Sequence, residues 1–138
     1  MKYFIDTNIF IRVLELEDKK IFDECYKILN LVKDSKIKAC ISTTVLAEIV
    51  WVLDSVYNEP KSKISKCIDG IVKLNNLKIK DEFNLSKTID LFTNNSVKFI
   101  DALISSNSEI QSKKMTVVSY DNDFDKLGVI RKEPSQIC

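Results

Sequence analysis

Four acidic residues stand at positions from which carboxylates could work together. Asp6 directly follows the apolar run Tyr3-Phe4-Ile5. Asp121 follows Thr116-Val117-Val118-Ser119, inside the acid-rich stretch Asp121-Asn122-Asp123-Phe124-Asp125. Glu48 is embedded in Val45-Leu46-Ala47-Glu48-Ile49-Val50-Trp51, and Asp101 lies in Phe99-Ile100-Asp101-Ala102-Leu103-Ile104. Hard divalent cations take oxygen ligands, and Mg²⁺ typically uses a few carboxylates together with waters and substrate phosphates. An ion so held lowers the pKa of a bound water and stabilises phosphoryl oxygens.

Each acid also has a local explanation. Asp6, Thr7 or Asn8 could cap a helix. Asp101 sits early in an expected helix, where the dipole favours an acid. Asp121 fits an Asx-rich turn. Glu48 is the hardest to explain locally, because a capping box puts its Glu three residues after the cap. From Thr44 the separation is four and from Thr43 five. A carboxylate so flanked by apolar residues carries a desolvation cost that a metal would relieve.

The elements that must position these acids follow from periodicity. Residues 2–5 read as a buried strand and residues 8–16 as a helix with Ile9, Phe10, Val13 and Leu14 at helical spacing. A second helix is expected over 18–34, a strand over 38–42, and a helix from Thr43-Thr44 to about Tyr57. Pro60 opens a helix over 60–75, and 77–80 is a strand. Asn84 or Ser86 starts a helix to about Asn95, and one further helix covers 99–112. Residues 115–119 form a strand, with a short last one over 128–131. This alternation predicts an α/β fold with a parallel sheet and helices on both faces. Such sheets bind ligands outside the carboxyl ends of their strands, where Asp6 and Asp121 would lie.

Composition narrows the chemistry. The chain has 138 residues, enough for one domain with its own core, and that domain is read as spanning 1–138. With no histidine, Ser-His-Asp and Cys-His triads and histidine-held zinc are excluded. The four cysteines, Cys25, Cys40, Cys67 and Cys138, form no C-x-x-C pair and read as buried or incidental thiols. No apolar run is long enough to cross a bilayer, and the short apolar stretch before Asp6 is no export signal, so a cytoplasmic location is expected. Net charge is only +1, so attraction for phosphate must come from local patches. Arginine occurs only at Arg12 and Arg131, so lysine would supply it, without bidentate base reading.

Taken together, Phe4-Ile5-Asp6-Thr7-Asn8, Ala47-Glu48-Ile49-Val50-Trp51-Val52-Leu53, Phe99-Ile100-Asp101-Ala102-Leu103-Ile104 and Ser119-Tyr120-Asp121-Asn122-Asp123-Phe124 resemble a PIN domain. The resemblance is greatest to the VapC-type toxin branch, and it spans residues 4 to 124. It implies a three-layer sandwich around a central parallel sheet of four to five strands. It also implies a ribonuclease whose catalytic, metal-holding acids are Asp6, Glu48, Asp101 and Asp121, using Mg²⁺ or Mn²⁺ on RNA. Thr7, Asn8 and Ser119 would orient ligands or waters, and Asp123 is the alternative to Asp121 as fourth acid. An antitoxin partner follows from the same resemblance, with Arg12 as a possible contact to it or to RNA.

Two other functions compete. One is a PIN scaffold without catalysis that binds RNA or protein. The other is a Mg²⁺-binding phosphoacceptor receiver domain, which Asp6-Thr7-Asn8 and Lys80-Asp81-Glu82 match poorly. Lys61, Lys63 and Lys66 are candidates for an RNA rim. Helix 44–57 carries more apolar residues than one core-facing stripe needs, which suggests a homodimer. Because clustered carboxylates repel, neutralising Asp6, Glu48 or Asp101 is expected to leave the metal-free fold intact.

Overall fold

The computed structural model describes residues 1–137. Cys138 lies outside the described residues, while Cys25, Cys40 and Cys67 are free thiols and only Cys25 is fully buried. The strands are β1 (Lys2–Ile5), β2 (Lys38–Ile41), β3 (Leu77–Ile79), β4 (Met115–Val118) and β5 (Arg131–Lys132). The helices are α1 (Thr7–Leu14), α2 (Lys19–Lys33), α3 (Thr43–Ser55), α4 (Lys61–Val72), α5 (Leu85–Asn94), α6 (Phe99–Ser105) and α7 (Ser108–Gln111). All strand pairs are parallel, in the order β3-β2-β1-β4-β5. This is the α/β architecture expected, with five strands.

The chain runs outward from β1 through β2 to β3, then returns to β4 on the other side of β1. Right-handed crossovers therefore place α1–α4 on one face and α5–α7 on the other. The direction of winding reverses between β1 and β4, so their carboxyl ends flank the crevice that such sheets leave for a ligand. Ile5, Ile9, Phe10, Ile28, Ile41, Ile49, Ile104 and Phe124 are fully buried around this centre.

Caps set several boundaries. Asp18 accepts from the Ile21 amide at 3.1 Å to start α2, and Asn84 rather than Ser86 starts α5 by accepting from Lys87 at 3.0 Å. The start of α3 is secured from a distance, because Asp81 Oδ1 accepts from the Thr43 amide at 2.8 Å and from its hydroxyl at 3.0 Å.

Two expectations are corrected. The single helix over 99–112 is two helices, α6 and α7. Asn107 leaves the helical region at φ −55°, ψ 132°, and its side chain accepts from the Glu109 and Ile110 amides. An Asn offering its own oxygen to the next turn favours a new start over continuation. The last strand begins at Arg131 rather than residue 128, because residues 122–127 form 3-10 turns that end in left-handed Gly128, φ +70°.

Candidate metal centre

Asp6 ends β1 and begins α1. Its Oδ1 accepts from the Thr7 amide at 2.8 Å, the N-cap interaction. Its Oδ2 accepts from the Ser119 hydroxyl at 2.7 Å and from Asn8 Nδ2 at 3.2 Å. Asn8 Nδ2 also donates to Ser119 Oγ at 2.9 Å, and Asn8 Oδ1 accepts from the Tyr120 amide at 3.2 Å. Ser119 Oγ in turn accepts from the Asp121 amide at 2.9 Å. The carboxyl ends of β1 and β4 are thus joined by a closed set of polar contacts. Thr7 contributes its amide, while its hydroxyl is buried without a partner.

Asp101 lies in the first turn of α6 and is 2% exposed. Its Oδ2 is buried with no hydrogen-bond partner. Carboxylate oxygens of Asp101, Asp121 and Asp123 all lie within 4.8 Å of one another. Asp121 caps the 3-10 segment by accepting from the Asp123 amide at 3.0 Å, so one turn delivers both acids. Arg131 clamps that turn through paired 3.0 Å bonds to Asp125 and a 3.0 Å bond to the Ser119 carbonyl.

The electrostatics reflect burial against repulsion. Burial pushes the Asp101 carboxyl up to about 8, with the Asp6 charge adding to it. Burial likewise raises Asp6 to about 6 against the hydrogen bonds from Ser119 and Thr7, with Glu48 adding repulsion. At Asp121 burial is outweighed by the Asp123 amide and Lys98, and the carboxyl lies below its ordinary value.

Glu48 is half-buried on α3, one turn in, and has no hydrogen bond or ion pair among the described residues. Its charge is felt at Asp6 and at Lys98. Asp6 and Glu48 are not members of the tight 4.8 Å cluster. Arg12 pairs with Glu17 at 3.6 Å and meets none of the four acids. Lys63 is held by Glu15 and Glu59, while Lys61 and Lys66 are exposed and unpaired among the described residues.

Lys98 is the participant that sequence reasoning missed. It holds the N-cap position of α6 but makes no side-chain capping bond. Its ammonium lies 3.1 Å from Asp121 Oδ2 and 4.0 Å from Asp101 Oδ2. Its position three residues before Asp101, at a helix start, was the available signal.

The family model for the PIN domain matches residues 3–130. The chain belongs to the PIN domain family. Solved structures agree on the fold. This PIN domain superposes on VapBC2 from Rickettsia felis, solved with a promoter DNA fragment, with TM-score 0.67 and 23% identity, covering 96% of this chain and 98% of that one. It matches FitAcB from Neisseria gonorrhoeae with TM-score 0.68 and 14% identity over 98% and 99% of the two chains. It also matches VapC20 from Mycobacterium tuberculosis, described as a sarcin-ricin loop cleaving toxin, with TM-score 0.65 and 14% identity over 93% and 96%. Comparison with curated protein sequences gives no match. Among the described residues no helix of the PIN domain is long and apolar enough to cross a membrane. The Asp81 carboxylate, which a receiver domain would need as a phosphoacceptor, is occupied in holding the start of α3.

The donor set fits a hard divalent cation. Three carboxylates converge, one with a buried oxygen that lacks a hydrogen-bond partner, and the cations beside them are two largely exposed lysines, Lys98 and Lys126. Among the described residues no sulfur joins the cluster and the chain has no imidazole, so a soft metal is disfavoured.

Proposed function

We propose that this PIN domain, acting as one domain over residues 1–138, is a metal-dependent endoribonuclease and the toxin of a toxin–antitoxin pair. The observation that carries the reading is the buried Asp101 carboxyl, with an oxygen that has no hydrogen bond, clustered within 4.8 Å of Asp121 and Asp123. A buried carboxyl among other carboxyls is costly to ionise, and a bound cation would offset that cost. Asp101 and Asp121 would hold Mg²⁺ or Mn²⁺, with Asp6 and Glu48 adding negative charge around it. The bound ion would supply an activated water and neutralise charge on the scissile phosphate.

The chain's own residues have separable tasks. Ser119 and Asn8 fix the rotamer of Asp6. The Asp123 amide fixes Asp121. Lys98 neutralises part of the acid pair and places positive charge at the rim. The neighbour described as cleaving the sarcin-ricin loop supports RNA as the substrate class, and the VapBC2 complex supports an antitoxin partner. A cytoplasmic location accords with both.

Incubation with single-stranded RNA and Mg²⁺ or Mn²⁺ should give cleavage that EDTA stops, and either ion should raise the melting temperature. Cleavage that persists in EDTA, or none with either ion, overturns the reading. In the same assay Asp121→Asn should lose at least ~10-fold more activity than Asp123→Asn, a share of the ~100-fold loss typical of a principal electrostatic group. The reason is that Asp121 faces both Asp101 and Lys98, whereas Asp123 pairs with Lys126 at 3.2 Å.

The homodimer belongs to the same proposal. Trp51 is 63% exposed and Val56 58% exposed on the outer side of α3 and its C-cap, apolar surface that a symmetry mate would cover. Light scattering at micromolar concentration should give twice the chain mass of 15.9 kDa. A monomeric mass would remove that part of the proposal.

A further inference from the structure

The face of the sheet that carries α5–α7 is only half covered. In a parallel sheet, residues in register project to the same side. Lys2 is in register with Lys38 and with Met115, and Cys40 with Lys78, so Lys2, Phe4, Lys38, Cys40, Lys78 and Met115 share one face. Over β1 and β4 that face is closed, with Phe4, Met115 and Val117 buried. Over β2 and β3 it is open, with Lys38 and Lys78 exposed and Cys40 half-buried. The cause is the return crossover, in which α7 packs on β4 and leaves the far strands bare.

Two adjoining cavities, of about 450 and 670 Å³, lie on this face and at the amino ends of β1 and β2 beside it, and both are lined by Lys2 and Lys38. The first adds Lys78 and Lys80, the second Lys36 and Lys114. Only one lining residue is acidic, Glu109, and Lys2 takes it at 2.9 Å. Lys36, Lys38, Lys78, Lys80 and Lys114 have no ion-pair partner among the described residues. In a chain of net charge +1 this is a strong local excess of one sign.

We propose that this open sheet face is a second RNA-binding surface, which holds the phosphodiester backbone of a single strand apart from the acidic centre. The choice of RNA rests on the nuclease reading. The surface itself rests on the lysines and the recess. Along β1, Lys2 and Asp6 are separated by about 13 Å at the usual ~3.3 Å rise per residue. Lysines without arginine hold phosphates as point charges and read no bases. Half-buried Cys40 lies on the floor between them and offers apolar surface to a ribose. The row of charge runs through both cavities, which suits a strand better than one nucleotide.

The test measures binding in EDTA, so that no cleavage intervenes. Anisotropy of a labelled single-stranded oligouridylate is followed over a salt series with the full chain. Lys38→Glu with Lys78→Glu should weaken binding at least tenfold. Lys38→Gln with Lys78→Gln should weaken it less and lower the slope of log affinity against log salt by about 1.4, at ~0.7 per lost phosphate contact. Lys20→Glu with Lys27→Glu, on exposed positions of α2, is the control of equal charge change. Unaltered binding by the Lys38/Lys78 variants overturns the proposal, as does an equal loss in the control or no binding by the parent chain. Cleavage by the parent chain with Mg²⁺ is scored separately. If it is absent while binding depends on Lys38 and Lys78, the surface stands and the nuclease reading falls. If cleavage is present while binding ignores those lysines, the reverse holds.

Discussion

Asp101→Asn should cut metal-dependent RNA cleavage by at least ~100-fold, the scale of losing a principal electrostatic group, and should make the metal-free protein more stable. The two effects have one cause. Asp101 is buried, has no hydrogen bond to Oδ2, and lies among other carboxylates. Its folded carboxyl is raised to about 8, first by burial and then by Asp6, against roughly 3.9 in an unfolded chain. The folded state therefore binds the extra proton between about pH 4 and pH 8. Its stability contribution is fully present below pH 4 and is lost as pH rises through 8. Asn cannot ionise, so the variant should lose this decline. Above pH 8 it should melt higher than the parent by at least about 3 °C, corresponding to roughly 1 kcal/mol in a chain of this size. Circular-dichroism melts in EDTA from pH 5 to 9, beside a cleavage assay with Mg²⁺ or Mn²⁺, give both readouts. A variant that melts lower at pH 8.5, or that cleaves at the parental rate, sinks the assignment.

Asp6 should behave differently, because its carboxylate is part of the framework. Asp6→Ala removes the α1 cap, about 1 kcal/mol, and strips the buried Ser119 hydroxyl and the Asn8 amide of an acceptor, about 1–2 kcal/mol more. The expected result is loss of cleavage together with a fall in melting temperature of roughly 6–12 °C at pH 7. Asp6→Asn keeps a competent cap. It turns one acceptor into a donor that faces two donors, so it should melt between Asp6→Ala and the parent while cleaving no better than Asp6→Ala. Neutralising an acid is therefore expected to spare the metal-free fold at Asp101 but not at Asp6. If Asp6→Ala matches the parent in both melting and cleavage, the site is elsewhere.

The acids were legible wherever local pattern and strand order sufficed. Apolar residues ending in an acid placed Asp6 at the end of β1, and the clear strand Met115–Val118 placed Ser119 and Asp121 beyond it. The helix start at Thr43-Thr44 placed Glu48 one turn into α3. What escaped depended on choices made between elements. Asn107 had an uninterrupted helical pattern around it, and only its side-chain bonds to Glu109 and Ile110 split α6 from α7. Lys98 looks like an ordinary surface lysine until Asp121, 23 positions later, is folded against it. The lysines of the open face belong to different strands and become a group only through register. Both Asp121 and Asp123 reach the cluster because a 3-10 turn, which periodicity does not reveal, carries them together.

The bond from Ser119 to Asp6 spans 113 residues of chain. β1 is synthesised before its neighbour β4, which is made only after Lys114. Until then Asp6 has its helix cap but neither Ser119 nor Asp121 beside it. Contacts of such separation also carry a large loop-closure cost when the chain folds freely. A nascent chain that already carries Asp6, Glu48 and Asp101 thus has three of the acids and no assembled centre. The proposed cleavage of RNA would therefore have no complete set of acids to work with until β4 and the turn after it have been made.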